Sequence, residues 1–403
     1  MMPVPDTTTP LIYLDHAATT PVRPEVVAAM TAVLQDPLAA GNPSSRHRLG
    51  ARAREALDEA RRQVGALLGA PQERIVFTGS ATEANNLALL GAARAAGRHR
   101  RHLVITAIEH PSVMEAAALL ESQGYRVTRV APSREGVVDA EAVARAVEDD
   151  TFLVSVMLVN NETGALQPVA DVARLVRRRR PEVLVHSDLV QAAGRLPVDV
   201  ETLGVDLASV SAHKLHGPKG VGALYVGPRA RLDPIVVGGG QERGLRSGTE
   251  NLPGIVGFGV ASALARQELP QTTERLRRLG RRLLDGLSGL GHRAHLLGPA
   301  DPERRAPHIV CVALEGLRAE VVATHLDQEA GVLVSVGSAC SSHKARKSHV
   351  LLAMGVPERL ATGAIRLSLG LLTREEEVDE AIRRTAAVVE ALSAFVGRGG
   401  GRG

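Results

Sequence analysis

The sequence predicts an α/β protein, with a mainly parallel sheet covered by helices in a large domain and a smaller α+β domain beside it. Three observations predict this. Between residues 74 and 226, short β-branched runs alternate with Ala/Leu/Arg-rich stretches of helical period, the pattern of strands each followed by a covering helix. A chain of 403 residues exceeds what one simple core fills, so two domains are the natural division. After about residue 265 the alternation gives way to a charged helical stretch and isolated strand candidates. The large domain is therefore placed at residues 21–264, and the smaller one is assembled from residues 1–20 and 265–403.

Taken in order, residues 46–69 read as one long amphipathic helix stopped by Gly69 and Pro71. Strand candidates follow at 75–77, 102–106, 126–130, 152–159, 183–186 and 207–211. The glycine-rich passage 236–248 has neither a helical nor a strand period. A charged helix is expected over about 265–291, strands at 308–313 and 364–368, and a final helix opened by Thr373 and Glu376 at capping-box spacing.

Composition narrows the function classes. Hydrophobic residues make up 44% but aromatic residues only 2%, with no Trp, so Ala, Val, Leu and Ile must build the interior. The net charge is +4, from 48 basic against 44 acidic residues. The arginine runs at 52–54, 61–62 and 177–180 alternate with apolar residues at helical spacing, which describes solvated helix faces rather than a nucleic-acid footprint. Two cysteines make no disulfide framework, and no apolar run is long enough to span a bilayer. A cytoplasmic protein is expected.

Three polar sites fall where strand runs end, which is where open α/β sheets collect ligands. At Thr78-Gly79-Ser80-Ala81-Thr82-Glu83, Ser80 and Glu83 have capping-box spacing, so free amides at a helix N-terminus make an anion cradle, although most capped helices bind nothing. Asp188, emerging directly after an apolar strand, is either an N-cap or a partner for a buried cationic nitrogen. In Ser211-Ala212-His213-Lys214-Leu215-His216-Gly217-Pro218, the lysine is crowded by two histidines, which lowers its pKa towards Schiff-base competence. A phosphate cradle, an acid for a ring nitrogen and a Schiff-base lysine are together what pyridoxal phosphate requires. The triple glycine 238–240 does not have the spacing of a nicotinamide fingerprint.

Of the two cysteines, Cys311 lies in an apolar strand-like run and reads as ordinary core, whereas Cys340 lies in Gly337-Ser338-Ala339-Cys340-Ser341-Ser342-His343-Lys344 with nothing apolar to bury it. The cations His343, Lys344, Arg346 and Lys347 favour a thiolate there. On that segment alone, a presented nucleophile and an incidental surface thiol are equally good readings.

Ordered along the chain, these residues resemble the cysteine desulfurases, pyridoxal-phosphate enzymes of the class V aminotransferase group. The resemblance runs from Tyr13-Leu14-Asp15-His16-Ala17-Ala18-Thr19-Thr20-Pro21 through Gly41-Asn42-Pro43, Ala81-Thr82-Glu83, Glu109-His110 and Asn160-Asn161-Glu162-Thr163-Gly164. It continues through Asp188, Gln191, Ser211 to Lys214 and Arg246-Ser247-Gly248-Thr249, and ends at Cys340 and Ile365-Arg366-Leu367-Ser368.

The resemblance implies a fold-type I pyridoxal-phosphate transferase with a seven-stranded sheet, residues 21–264 binding the cofactor and the smaller domain carrying the cysteine loop. It implies that Lys214 holds the cofactor aldehyde, that Asp188 pairs with the pyridine nitrogen, and that Asn161 and Gln191 bond the phenolic oxygen. His110 would stack on the ring and carry a proton. Ala81, Thr82, Ser211 and His213 would hold the phosphate, joined by Thr249 from the other subunit of a homodimer. Arg366, with Asn42, would bind the substrate carboxylate. Cys340 would accept sulfur from L-cysteine as a persulfide, release alanine and pass the sulfur to an iron-sulfur scaffold or thiolation protein, or share a transient cluster with such a partner. A selenocysteine lyase, a class V aminotransferase and a non-enzymatic sulfur-delivery scaffold are the alternatives. The basic run Ala345-Arg346-Lys347-Ser348 and the substitution of Val237 for a histidine depart from the family pattern.

Overall fold

The structure is a computed structural model that describes residues 10–37, 41–290, 293–336 and 347–399. Cys340 and the rest of 337–346 lie outside the described residues. The chain begins with strand β1 (Ile12–Tyr13) and the helices Pro24–Gln35 and Arg48–Leu68. The second of these stops where Gly69 adopts a left-handed conformation (φ 68°), which glycine reaches without a Cβ penalty.

Seven strands follow: β2 (Ile75–Thr78), β3 (His102–Thr106), β4 (Arg126–Val130), β5 (Thr151–Ser155), β6 (Leu184–Asp188), β7 (Leu207–Ser211) and β8 (Gly222–Val226). They form one sheet in the order β2-β8-β7-β6-β5-β3-β4. Pairings from β7 through β6, β5 and β3 to β4 are parallel, and β8 runs antiparallel to both its neighbours. Strands β2, β3, β5 and β7 are buried throughout, as expected of a sheet covered on both faces. Alternation divides their side chains. Phe77, Val104 and Val210 join a core with Phe258 and Leu57 on one face, while Val76, Leu103 and Ile105 join Leu89, Val113 and Phe152 on the other. At the β4 edge Arg126 is exposed and paired with Glu148 and Asp150, a charged edge that discourages further pairing.

After the helices Leu252–Gln267 and Leu269–Ser288 come β9 (Ala294–Leu296), β10 (Ile309–Leu314), β11 (Val332–Leu333), β12 (Ser335–Val336) and β13 (Ala364–Ser368). An antiparallel sheet has the order β12-β13-β10-β9, and β1 pairs in parallel with β11, which ties the start of the chain to this region. The two faces of β10 serve different cores: Val310, Val312 and Leu314 pack with Leu14, Leu283, Leu367 and Val378, while Cys311 and Ala313 face the core of the large sheet. Cys311 is buried and its thiol is pushed up to about 12 by that burial, so it is inert packing.

Two local readings change. The strand expected at 152–159 ends at Ser155, because the chain then turns through Asn160-Asn161, where Asn160 Oδ1 accepts the amides of Glu162 and Thr163. The capping box at Thr373 and Glu376 is displaced by one residue. Glu377 accepts the Arg374 amide at 2.7 Å, and Thr373 Oγ1 accepts the Gly370 amide instead of opening the helix.

Candidate active site

A cavity opens where β2, β6 and β7 end, with about 350 Å³ reachable by the centre of a water molecule, the size of a cofactor site. Its lining brings together Ala81, Thr82, His110, Asn161, Asp188, Gln191, Ser211, His213, Lys214 and Arg366, residues that span almost 300 positions of sequence. Asn42 and Thr249 are exposed and do not line it.

The cradle is built locally. Ser80 caps the helix Ala81–Asn86, its hydroxyl accepting the Glu83 amide at 3.1 Å, while Glu83 accepts the Gly79 amide at 2.8 Å and the Nε of Arg246 at 2.8 Å. Gly222 lets β8 approach this turn, since a Cβ there would lie 2.5 Å from the Ser80 carbonyl carbon and 2.7 Å from the Ala81 nitrogen. The amides that begin the helix are therefore presented at the cavity in a fixed frame that suits an anion.

Asp188 is buried, and each of its carboxylate oxygens is oriented. Oδ2 accepts Asn85 Nδ2 at 2.8 Å, and Oδ1 accepts the Val190 amide at 2.9 Å. Asn85 Nδ2 also donates to Ser112 Oγ at 2.8 Å, and Ser112 Oγ lies 2.8 Å from His110 Nδ1. Because His110 Nδ1 also accepts the Ser112 amide at 3.2 Å, this nitrogen carries no proton, and a neutral His110 bears its proton on Nε2. Burial holds the His110 pKa below the usual histidine range, opposed by the Asp188 carboxylate. Asn85 and Ser112 are the functional neighbours that sequence reasoning missed. The one available signal was that both lie near the starts of helices that follow strands, Ser112 in the first turn and Asn85 one turn in.

Lys214 Nζ donates to the carbonyls of Ala17 at 2.5 Å and Ala18 at 2.6 Å. His213 Nδ1 lies 3.1 Å from Thr19 Oγ1, and burial lowers the His213 pKa to about 4, so the ring is neutral. Gln191 donates Nε2 to the Ala17 carbonyl at 2.9 Å and leaves a buried Oε1 without a protein partner. With the amide oriented this way, Nε2 keeps a second N–H, the donor that a phenolic oxygen requires, while Oε1 offers only an acceptor. Asn161 lines the cavity, and its backbone carbonyl accepts Arg366 Nη1 at 2.7 Å. Arg366 Nη2 is paired with Asp15 Oδ1 at 2.8 Å, and both residues line the cavity.

Tested against pyridoxal phosphate, this donor set fits. It offers fixed amides and the Ser211 hydroxyl for a phosphate, an oriented buried carboxylate for a pyridinium nitrogen, and a lysine for an aldehyde.

Comparison with known proteins agrees with this geometry. A family model, aminotransferase class-V, matches residues 12–381. The chain is 40% identical over 381 residues to a cysteine desulfurase IscS of Dictyoglomus turgidum, covering 94% of this chain and 95% of that one. It is 42% identical over 388 residues to a cysteine desulfurase IscS of Escherichia coli, covering 95% and 94%. Among solved structures, a NifS-like protein superposes with a TM-score of 0.87 at 40% identity, over 95% of this chain and all of that one. A structure described as SspA in complex with cysteine superposes at 0.77 with 33% identity, over 89% and 98%. With its cradle, buried acid and lysine at the ends of one sheet, and with a match running nearly its full length, the chain belongs to the class V aminotransferase family.

Proposed function

We propose that the chain is a pyridoxal-phosphate-dependent cysteine desulfurase that converts L-cysteine to L-alanine and takes the sulfur onto Cys340 as a persulfide. The observation that carries this reading is that Lys214, Asp188 and Arg366 face one cavity: a site for the aldehyde, a carboxylate for the ring nitrogen and a guanidinium for the amino-acid carboxylate. When bound, the cofactor draws electrons from the substrate α-carbon.

The chain's own groups do the rest. Ala81, Thr82, Ser211 and His213 would hold the phosphate, and Asp188, fixed by Asn85 and the Val190 amide, would keep the ring nitrogen protonated. Lys214 would hold the aldehyde, and its Nζ would carry the substrate α-proton. His110, which lines the cavity, would lie against the ring and offer its Nε2 proton. Asn161 and Gln191 serve the phenolic oxygen. Arg366 would exchange part of its pairing with Asp15 for the substrate carboxylate. The Cys340 thiolate attacks the substrate sulfur, an S–S bond forms as the C–S bond breaks, and the carbon skeleton gains protons to leave as alanine.

Beyond the reaction itself, we assign Thr249 to the phosphate of a second subunit in a homodimer, and an iron-sulfur scaffold or thiolation protein as the sulfur acceptor. Cys340 would also be the residue to share a transient cluster with such a partner. Among the described residues no helix is long and apolar enough to cross a membrane.

The test is to incubate the loaded protein with L-cysteine. Alanine should form in step with persulfide on Cys340, and a Cys340→Ser variant should form none. Full sulfide release by that variant would sink the assignment. Sedimentation of the wild type as a monomer would remove Thr249 from the site.

A further inference from the structure

Lys214 lines two cavities. The second is narrower, with about 30 Å³ reachable by the centre of a water molecule, and is also lined by Arg23, Arg195, His216, Glu268 and Thr272 among apolar residues. On that measure a single water needs roughly 10–15 Å³, so the space suits one or two waters or one small ion.

The charges around this cavity do not balance. Its lining holds the guanidinium groups of Arg23 and Arg195 against one carboxylate among the described residues, Glu268, and Arg23 is also paired with Glu25 just outside it. Glu268 is already engaged, accepting Arg23 Nη1 at 2.7 Å and Nη2 at 3.0 Å. Arg195 is 4% exposed and has no ion-pair partner among the described residues. Its Nη2 reaches the His16 carbonyl at 3.4 Å, and its buried Nη1 has no protein partner. The helix Leu269–Ser288 brings the positive end of its dipole to the same place, because Thr272 in its first turn lines the cavity. His216 contributes no charge, since burial lowers it to about 4, and burial lowers Arg195 to about 10, which leaves it a cation at neutral pH.

A buried guanidinium without a counter-charge carries a desolvation penalty of several kcal/mol. Water can accept its N–H bonds but cannot cancel its charge. Contrast Arg61, equally buried, whose guanidinium meets Glu242 at 2.6 and 2.7 Å. We propose that the narrow cavity beside Lys214 is a binding site for a small monovalent anion, a halide by size, held by Arg195 Nη1. The site does not depend on the desulfurase reading, because Arg195 does not line the larger cavity.

The experiment compares thermal unfolding of the full chain, with and without cofactor, in sodium chloride, bromide and gluconate at equal ionic strength. Chloride and bromide should raise the wild-type midpoint saturably by roughly 2 °C above gluconate, and Arg195→Met should remove that increment. Crystals grown in bromide should show an anomalous peak within hydrogen-bond distance of Arg195 Nη1. Identical midpoints in all three salts, or water alone at that position in bromide crystals, would overturn the site. If Arg195→Met does not fold, Arg195→Lys, which keeps the charge but shortens the reach, should need at least about tenfold more bromide for half the effect. A Lys variant with the wild-type curve would overturn the proposal as well.

Discussion

The two walls of the larger cavity are held in different ways. On the wall made by the large sheet, neighbouring elements fix each polar group: Ser80 caps its own helix, Asp188 is set by Asn85 and by an amide two residues on, and His110 is bonded to Ser112. The opposite wall, made by Asp15, Ala17, Ala18, Ser335 and Arg366, hangs on bonds between distant parts of the chain. Arg366 meets Asp15 across 351 positions and Asn161 across 205, and Ser368 Oγ accepts the Ala17 amide at 2.8 Å. The first wall is held mostly by bonds within single turns, with the Asn85–Asp188 bond across 103 positions as the exception, and carries the groups suited to a cofactor. The second brings the one guanidinium suited to a substrate carboxylate, already shared with an acid. Damage to the first wall should appear in kcat, and damage to the second in KM.

The largest effects test that division directly. Lys214→Ala should abolish covalent attachment of the cofactor, seen as loss of its absorption band, and should lower turnover by about 10³-fold or more. Asp188→Ala should lower kcat by about 10²-fold with KM for cysteine little changed. Arg366→Ala should do the reverse. Removing one partner of a buried, hydrogen-bonded charge pair costs about 2–5 kcal/mol, so KM should rise by about 30-fold or more while the cofactor spectrum stays as in the wild type. If Arg366→Ala changed kcat alone, the contrast between the walls would be broken.

The same contrast explains what the sequence made legible. Strands β3, β4, β7 and β13 occupy the expected residues, because each is a short β-branched run bounded by turns. Lys214, Asp188 and the Ser80 turn were legible because strand end, cap and polar residue are consecutive. The Asp15–Arg366 pair and the β1–β11 pairing were not, since nothing local marks a partner hundreds of residues away. Asn85 was hidden for a related reason: an asparagine one turn into a helix looks solvated until Asp188 and Ser112 are folded against it. Asn85→Ala should therefore lower kcat by about tenfold and shift its pH profile through both Asp188 and His110, whereas a purely structural role would leave the profile in place.

Smaller effects concern stability against pH, and here the buried carboxyls and histidines oppose each other. Burial raises Glu109 to about 8 and Glu162 to about 7, both above the 4.5 of an unperturbed glutamate. Their contribution is full below pH 4.5 and is lost as pH rises towards 7 or 8, because the unfolded chain gives up the proton first. Burial lowers His186 to about 4, from 6.5. Its contribution is full above pH 6.5 and is lost as pH falls towards 4, because the unfolded chain takes the proton first. Each group changes stability by at most ~1.4 kcal/mol per pH unit within its window. Urea titrations of Glu109→Gln should show a flatter alkaline limb between pH 4.5 and 8, with the acid limb unchanged.

The smallest effect separates a cap that only stabilises from one that also serves the site. Ser80 and Asp139 both cap helices of the large-sheet region, through bonds of 3.1 Å to Glu83 and of 3.1 and 3.2 Å to Glu141 and Ala142. Either residue changed to Ala should lower stability by about 1 kcal/mol. Ser80 lines the cavity and Asp139 does not, so only Ser80→Ala should also weaken cofactor binding, by a few-fold, as its cap ceases to hold the amides of residues 81–83 in place. Equal cofactor affinities for the two variants would mean that the phosphate is held by Ser211 and His213 alone, and that the turn after β2 is a structural cap beside the site.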